Sequence, residues 1–172
     1  MDTMGKIPEP AERKLMAETY FRQGYNCAQA VLLTFSDLLG ADAETVLRAG
    51  TPLGGGMGRL REVCGAVSAM FMILGMLYGY ETPETGTAKT VLYGRVQELA
   101  GNFEKRFGSI VCRELLGLPD GHDTPEASPR TEDFYQKRPC GEFIGAAAGI
   151  LAAYIRDNPP EDRVDNPSNG SL

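Results

Sequence analysis

The stretch 51–80, TPLGGGMGRLREVCGAVSAMFMILGMLYGY, constrains this chain more than any other. A glycine run (Gly54, Gly55, Gly56, Gly58) leads to Arg59 and Arg61, and from Val63 to Tyr80 no charged residue occurs. About 18 uncharged residues reach the lower bound for a membrane span. Yet the segment carries Gly65, Ser68, Gly75 and Gly79, and the chain has no second segment of its kind. Small residues at Gly65, Ala69 and Gly75 suit close helix–helix contact instead. The expectation is therefore a central apolar helix, about 60–80, with other helices packed round it, and not a membrane protein.

The remaining segments read as that surrounding layer. Pro8 suits a first helical turn, and Leu15, Met16, Tyr20 and Phe21 recur near helical spacing, predicting a helix over 8–22 that Gly24 stops. Asn26 caps a second over 27–39, facing Ala28, Val31, Leu32 and Phe35 inward. Asp42 caps a third as far as Arg48, closed by Gly50. Val91, Leu92, Val96, Leu99 and Phe103 predict a long helix over 87–107 that ends at Gly108. Ser109 caps a short one over 110–116. The stretch 118–138, rich in Pro, Asp, Thr and Ser, reads as a surface loop with a turn near 133–136. Pro139 opens a last helix over 140–156, with Phe143, Ile144, Ala147, Ile150, Leu151 and Tyr154 inward. No segment alternates with the period of a strand. The fold class is all-α: one helical domain of about six or seven helices over 8–157, with flexible tails at 1–7 and 158–172.

A chain of 172 residues buries about two thirds of its unfolded surface, so it needs no disulfide staples. A net charge of −6 with scattered Lys and Arg argues against nucleic acid, and no basic amphipathic face suggests a membrane surface. No basic, apolar leader precedes Met16, which leads to the expectation of a reducing cytoplasm, where cysteines are catalytic, metal-binding or simply buried. The apolar helix surface exceeds what one small bundle covers, which leaves room for a homodimer.

The four cysteines carry the chemistry. Cys27 follows the cap Asn26, Cys112 follows Ser109 by three residues, Cys140 follows Pro139, and Cys64 lies near the start of the central helix. Unpaired N–H groups at a helix start stabilise a thiolate, the form that attacks disulfides and ligates metals. The spacing contains no Cys-x-x-Cys and no Cys-x-x-Cys-His, which removes a thioredoxin motif, a zinc ribbon and covalent haem attachment. Spacing alone leaves four separate buried thiols as an equal reading.

Five segments tip that balance: GYNCAQAV at 24–31, GGGMG at 54–58, CGAVSA at 64–69, CRELLG at 112–117, and Cys140. Together they resemble the redox-active four-cysteine family named for its C_GCAxxG_C_C pattern, also described by a CGAxxG motif. The resemblance spans about 20–154. It implies a helical domain whose four cysteines act together in redox chemistry. A related module resembles part of the split-Soret cytochromes, for which an iron–sulfur role has been proposed. The sequence departs from the motif at Ala69, where the family has glycine.

Other candidates are weaker. GGGMG lacks the Gly-Lys-Ser/Thr ending of a phosphate loop and the Gly-x-Gly-x-x-Gly spacing. It reads as a flexible approach that lets Gly55, Gly56, Gly58 and Arg59 come close to the cysteines or to a cofactor. Glu62 and the lone His122 read as solvated residues, and one histidine cannot support a histidine-based triad. Met57 and Met70 could line an electron-transfer pocket, but Met70 with its neighbours reads first as core.

Three functions follow. The first is a thiol–disulfide redox protein with an unknown redox partner, with Cys64 as nucleophile beside the arginines and Cys112 or Cys140 as resolver, Cys27 completing the site. The alternative is one iron–sulfur cluster or zinc ion held by Cys27, Cys64, Cys112 and Cys140. The third is a helical interaction module without catalysis.

Overall fold

The computed structural model describes residues 8–83 and 86–160. Among them eight right-handed helices follow one another: α1 Pro10–Arg22, α2 Cys27–Thr34, α3 Ala43–Gly50, α4 Gly65–Tyr78, α5 Thr87–Phe107, α6 Cys112–Leu115, α7 Glu132–Lys137 and α8 Cys140–Asp157. No strand forms among the described residues. One isolated antiparallel bridge joins Val63 to Val111. The expected tail at 1–7, and that at 158–172 beyond Pro160, lie outside the described residues.

α4 is the uncharged helix expected from the sequence. It packs against α2, α5 and α8, and its Ala66, Val67, Ala69, Met70, Ile73 and Leu74 are completely buried. Large apolar side chains buried in this way contribute about 1.5–3 kcal/mol each. Its second half is only partly covered, and α4 shares the middle of the bundle with α8. That helix touches α1, α2, α4 and α5, and it buries every residue from Phe143 to Ala148. No helix among the described residues is long and apolar enough to cross a membrane.

Two expectations about helix faces need correction. Leu15 is 65% exposed, while Arg13 is 6% exposed. Arg13 can turn inward because its guanidinium has partners: both Asp37 carboxylate oxygens at 2.8 and 2.7 Å, the Thr34 carbonyl, and the Phe35 ring at 5.3 Å. A buried guanidinium held by a bidentate carboxylate outranks an apolar side chain for that position. The pair also explains why α2 stops at Thr34 rather than near Leu39. The following 3-10 turn, Ser36–Leu38, carries Asp37 back toward α1. Val91, expected on the inner face of α5, is 50% exposed, and Leu99 and Phe103 hold that helix to the core.

Candidate functional site

All four cysteines stand at helix starts. Cys27, Cys112 and Cys140 are the first residues of α2, α6 and α8, and Cys64 is the cap residue immediately before α4. Local chemistry fixes each one. Asn26 Oδ1 accepts from the Ala28 and Gln29 N–H groups at 3.0 and 2.9 Å, and the Gln29 side chain reaches back to the Asn26 N–H. This capping box sets the first turn on which Cys27 rides. Pro139 precedes Cys140 as a helix opener. The Val63–Val111 bridge registers the other two: the Cys64 N–H donates to the Ile110 carbonyl at 2.8 Å, and the Cys112 N–H to the Glu62 carbonyl at 2.6 Å. In that register Cys64 and Cys112 are diagonal neighbours on one face of the bridge. The four thiols, all free, line one cavity of about 200 Å³.

The glycine run shapes one wall. Gly55, Gly56, Met57, Gly58 and Arg59 all have φ between 61 and 69°, and Arg61 has φ 60°. Five consecutive residues of this kind make a left-handed turn, which costs an L-residue roughly 1–2 kcal/mol per position. Glycine at three of the five removes most of that cost. The turn lets backbone pass where a side chain could not. A Cβ on Gly56 would stand 2.6 Å from Cys112 Cβ, and one on Gly65 would collide with Cys27 Sγ.

The strained residues are anchored by the loop that follows α6. Arg59 donates to Asp123 Oδ2 at 3.1 Å, to the Thr124 carbonyl at 2.7 Å and to Ser128 Oγ at 3.1 Å. Arg61 donates to the same carboxylate oxygen through Nε at 3.1 Å and Nη2 at 2.8 Å. The Asp123 N–H returns to the Arg59 carbonyl at 3.0 Å. Ala127, Ser128 and Arg130 of that loop become part of the cavity wall. Arg61, 4% exposed, also places Nη1 3.7 Å from Cys112 Sγ.

Burial pushes the thiols up. Loss of water raises Cys64 far above the ordinary thiol range, with the charge of Cys27 adding to it and the Ala66 and Val67 N–H groups opposing. Cys140 is pushed up to about 12 by the same loss, again with Cys27 adding and Arg138 opposing. Burial also raises Cys27; Cys112 adds repulsion, and the Gly55, Ala28 and Cys27 N–H groups pull the other way. Cys27 is thus electrostatically coupled to each of the other three sulfurs. Desolvation here outweighs the helix starts.

The arrangement departs from the sequence reading in detail. Arg61 reaches Cys112, not Cys64, which the sequence reading made the nucleophile. Gly55 and Arg59 line the cavity, whereas Gly56 and Gly58 do not. Glu62 is exposed and paired with Arg113 at 3.0 Å, and His122 is exposed. Met57 faces solvent and Met70 is wholly buried, so neither lines the cavity. Among the described residues no group of three or more His, Cys, Asp or Glu side chains comes together so as to hold a metal ion. Sequence reasoning missed Asp123, Arg130, Arg138 and Phe134, which sit in or beside the segment read as a polar loop. The Arg and Asp residues within that loop were an available signal.

A family model described as "Putative redox-active protein (C_GCAxxG_C_C)" matches residues 25–154. No solved structure matches the chain.

Proposed function

The chain belongs to the C_GCAxxG_C_C family, and from that premise we propose that it is a thiol-dependent oxidoreductase that exchanges electrons between its cysteine cavity and a disulfide. The observation that carries this reading is the sharing of one cavity by four free thiols, with a buried guanidinium on one of them. Cys112 is the nucleophile. Among the four thiols Cys112 is the one that receives a guanidinium donor, from Arg61 at 3.7 Å. Cys27 is the resolver, because adjacent residues of the left-handed turn bracket the two: the Gly55 N–H faces Cys27 Sγ, and Gly56 packs on Cys112 Cβ.

The electrons balance as follows. Cys112 thiolate attacks one sulfur of the substrate disulfide, forming a mixed disulfide and releasing the first substrate thiolate. Cys27, giving its proton to solvent, attacks Cys112 Sγ, and the second substrate thiolate leaves. The substrate gains two electrons, and the Cys27–Cys112 dithiol becomes a disulfide. A second dithiol returns the protein to its starting state by the reverse exchange.

Thiol counting tests the reading. Reduced protein exposed to hydroxyethyl disulfide under denaturation-free conditions, then freed of reagent, is expected to fall from four titratable thiols to two, and to regain them with a dithiol. A Cys112→Ser variant is expected to resist this oxidation. Four free thiols throughout, in wild type under the same treatment, would defeat the proposal.

A further inference from the structure

The cysteine cavity concentrates positive charge in an otherwise acidic chain. Arg59, Arg61, Arg130 and Arg138 all line it, and no Asp or Glu does, although the chain carries a net charge of −6. Asp123 lies beside the cavity and engages Arg59 and Arg61. Arg130 and Arg138 make no such direct contact, although Asp123 also acts on Arg138 from further off. Among the described residues neither guanidinium makes an ion pair or a hydrogen bond.

Both are nevertheless held in place. The Arg130 guanidinium lies 4.8 Å over the rings of both Phe21 and Phe134 and 5.9 Å from that of Tyr135, while Arg138 lies 5.4 Å from the Phe134 ring. The rings support one another, with Phe21 and Tyr135 edge to face at 5.4 Å. Stacking uses the face of a guanidinium and leaves its in-plane N–H donors free. A stacked, unpaired arginine is therefore a pre-set fork for a carboxylate or similar anion. Behind it the wall is apolar, formed by Leu115, Leu116, Phe143 and Ile144, which suits a short aliphatic body rather than a second charge. With a volume of about 200 Å³ the cavity holds a small molecule.

We propose that the cavity selects small disulfides bearing an anionic group, which Arg130 and Arg138 hold while a substrate sulfur meets Cys112. This rests on the dithiol reading above and names the substrate class for the same site. The chemistry is the two-step exchange already balanced, with the substrate's carboxylate remaining ionised throughout.

Three near-isosteric disulfides separate the ideas: dithiodipropionate, anionic; hydroxyethyl disulfide, neutral; and cystamine, cationic. Second-order rates of protein oxidation at low salt, each divided by the rate of the same reagent with a small free thiol, should fall in that order. Two charges about 6 Å away in a water-like dielectric give an anionic-to-neutral ratio of about tenfold. The ratio should shrink at high salt and approach one in the Arg130→Gln/Arg138→Gln double variant. Equal corrected rates for the three reagents, or a ratio unchanged in the double variant, overturn the anion site while leaving the dithiol chemistry standing. If none of the three reagents oxidises the protein, the dithiol reading falls, and this proposal falls with it.

Discussion

Replacing Gly56 with alanine probes the left-handed turn that holds the cavity together. Two costs add. An L-residue at φ +66° costs about 1–2 kcal/mol. The new methyl would also stand 2.6 Å from Cys112 Cβ, 3.0 Å from Arg61 Cα and 3.0 Å from the Glu62 nitrogen, against an optimal carbon contact of about 3.5–4.0 Å. Two of those three atoms are backbone and cannot swing away. Moreover, the Glu62 N–H donates to the Gly56 carbonyl at 3.0 Å, so any shift strains the bond that closes the turn. Overpacking of this kind costs about 1–3 kcal/mol, giving a total of about 2–5 kcal/mol. Gly58 is the matched control: its φ is +61°, but a Cβ there meets only the Pro52 carbonyl oxygen at 3.9 Å, so Gly58→Ala should lose only the backbone part, about 1–2 kcal/mol. Urea unfolding of both variants under reducing conditions, followed by far-UV circular dichroism, reads the difference directly. With slopes of about 1–3 kcal/mol/M, Gly56→Ala should lower the midpoint by about 1–2 M and by clearly more than Gly58→Ala. Equal losses in the two variants would show that nothing crowds Gly56 and would refute the packing argument.

Other outcomes follow from the same geometry. Asn26→Ala removes the acceptor for two N–H groups and the Asn26 Nδ2 bond to the Thr51 carbonyl at 3.1 Å; it should cost about 1 kcal/mol by thermal or urea unfolding and change the oxidation rate of Cys27. The Asp123 carboxyl is held below the usual carboxylate range, chiefly by hydrogen bonds from Arg61. Its folded pKa is thus lower than its unfolded value, so its contribution is complete above the unfolded pKa and lost as pH falls through the folded one. Melting temperatures of wild type and Asp123→Asn should therefore differ by a constant amount from neutral pH down to about 5 and converge below about 4; a gap that persists into stronger acid would contradict the latch. Site-resolved alkylation by mass spectrometry at pH 7 should find Cys64 and Cys140 slow, because burial pushes Cys140 up to about 12 and Cys64 higher still. Cys112 should be modified first, and Cys64 leading instead would restore the nucleophile expected from the sequence.

Periodicity and caps made the bundle legible. The helix starting at Thr87 and ending at Phe107, the cap at Asn26 and the helix opened by Pro139 follow from local rules, because first-turn N–H groups and glycine stops act within a few residues. The convergence of the cysteines was visible as four sulfurs near helix starts and in the family resemblance, which implies that they act together. What brought them together is non-local: a single bridge between Val63 and Val111, and a turn whose hand depends on contacts with Asp123, about 60 residues further along. The same reason hid the partner of Arg61. Side by side in sequence, Arg61 and Cys64 suggested a pair, but the bridge register presents Cys112 to the guanidinium instead. Leu15 was misjudged because the inward place belongs to Arg13, whose acceptor, Asp37, lies in a turn that helical spacing read as continuous helix. Charge at an inward position is tolerated only when such a partner is present, and no pattern within α1 reveals it.

Peptide mapping of the oxidised protein addresses the central claim most directly. After brief treatment with hydroxyethyl disulfide, alkylation of the remaining thiols and digestion without reductant, mass spectrometry should find one dominant cross-linked pair, the peptides bearing Cys27 and Cys112, with Cys64 and Cys140 alkylated. Recovery of all four cysteines as alkylated monomeric peptides, or a dominant bond that omits Cys112, would contradict the account.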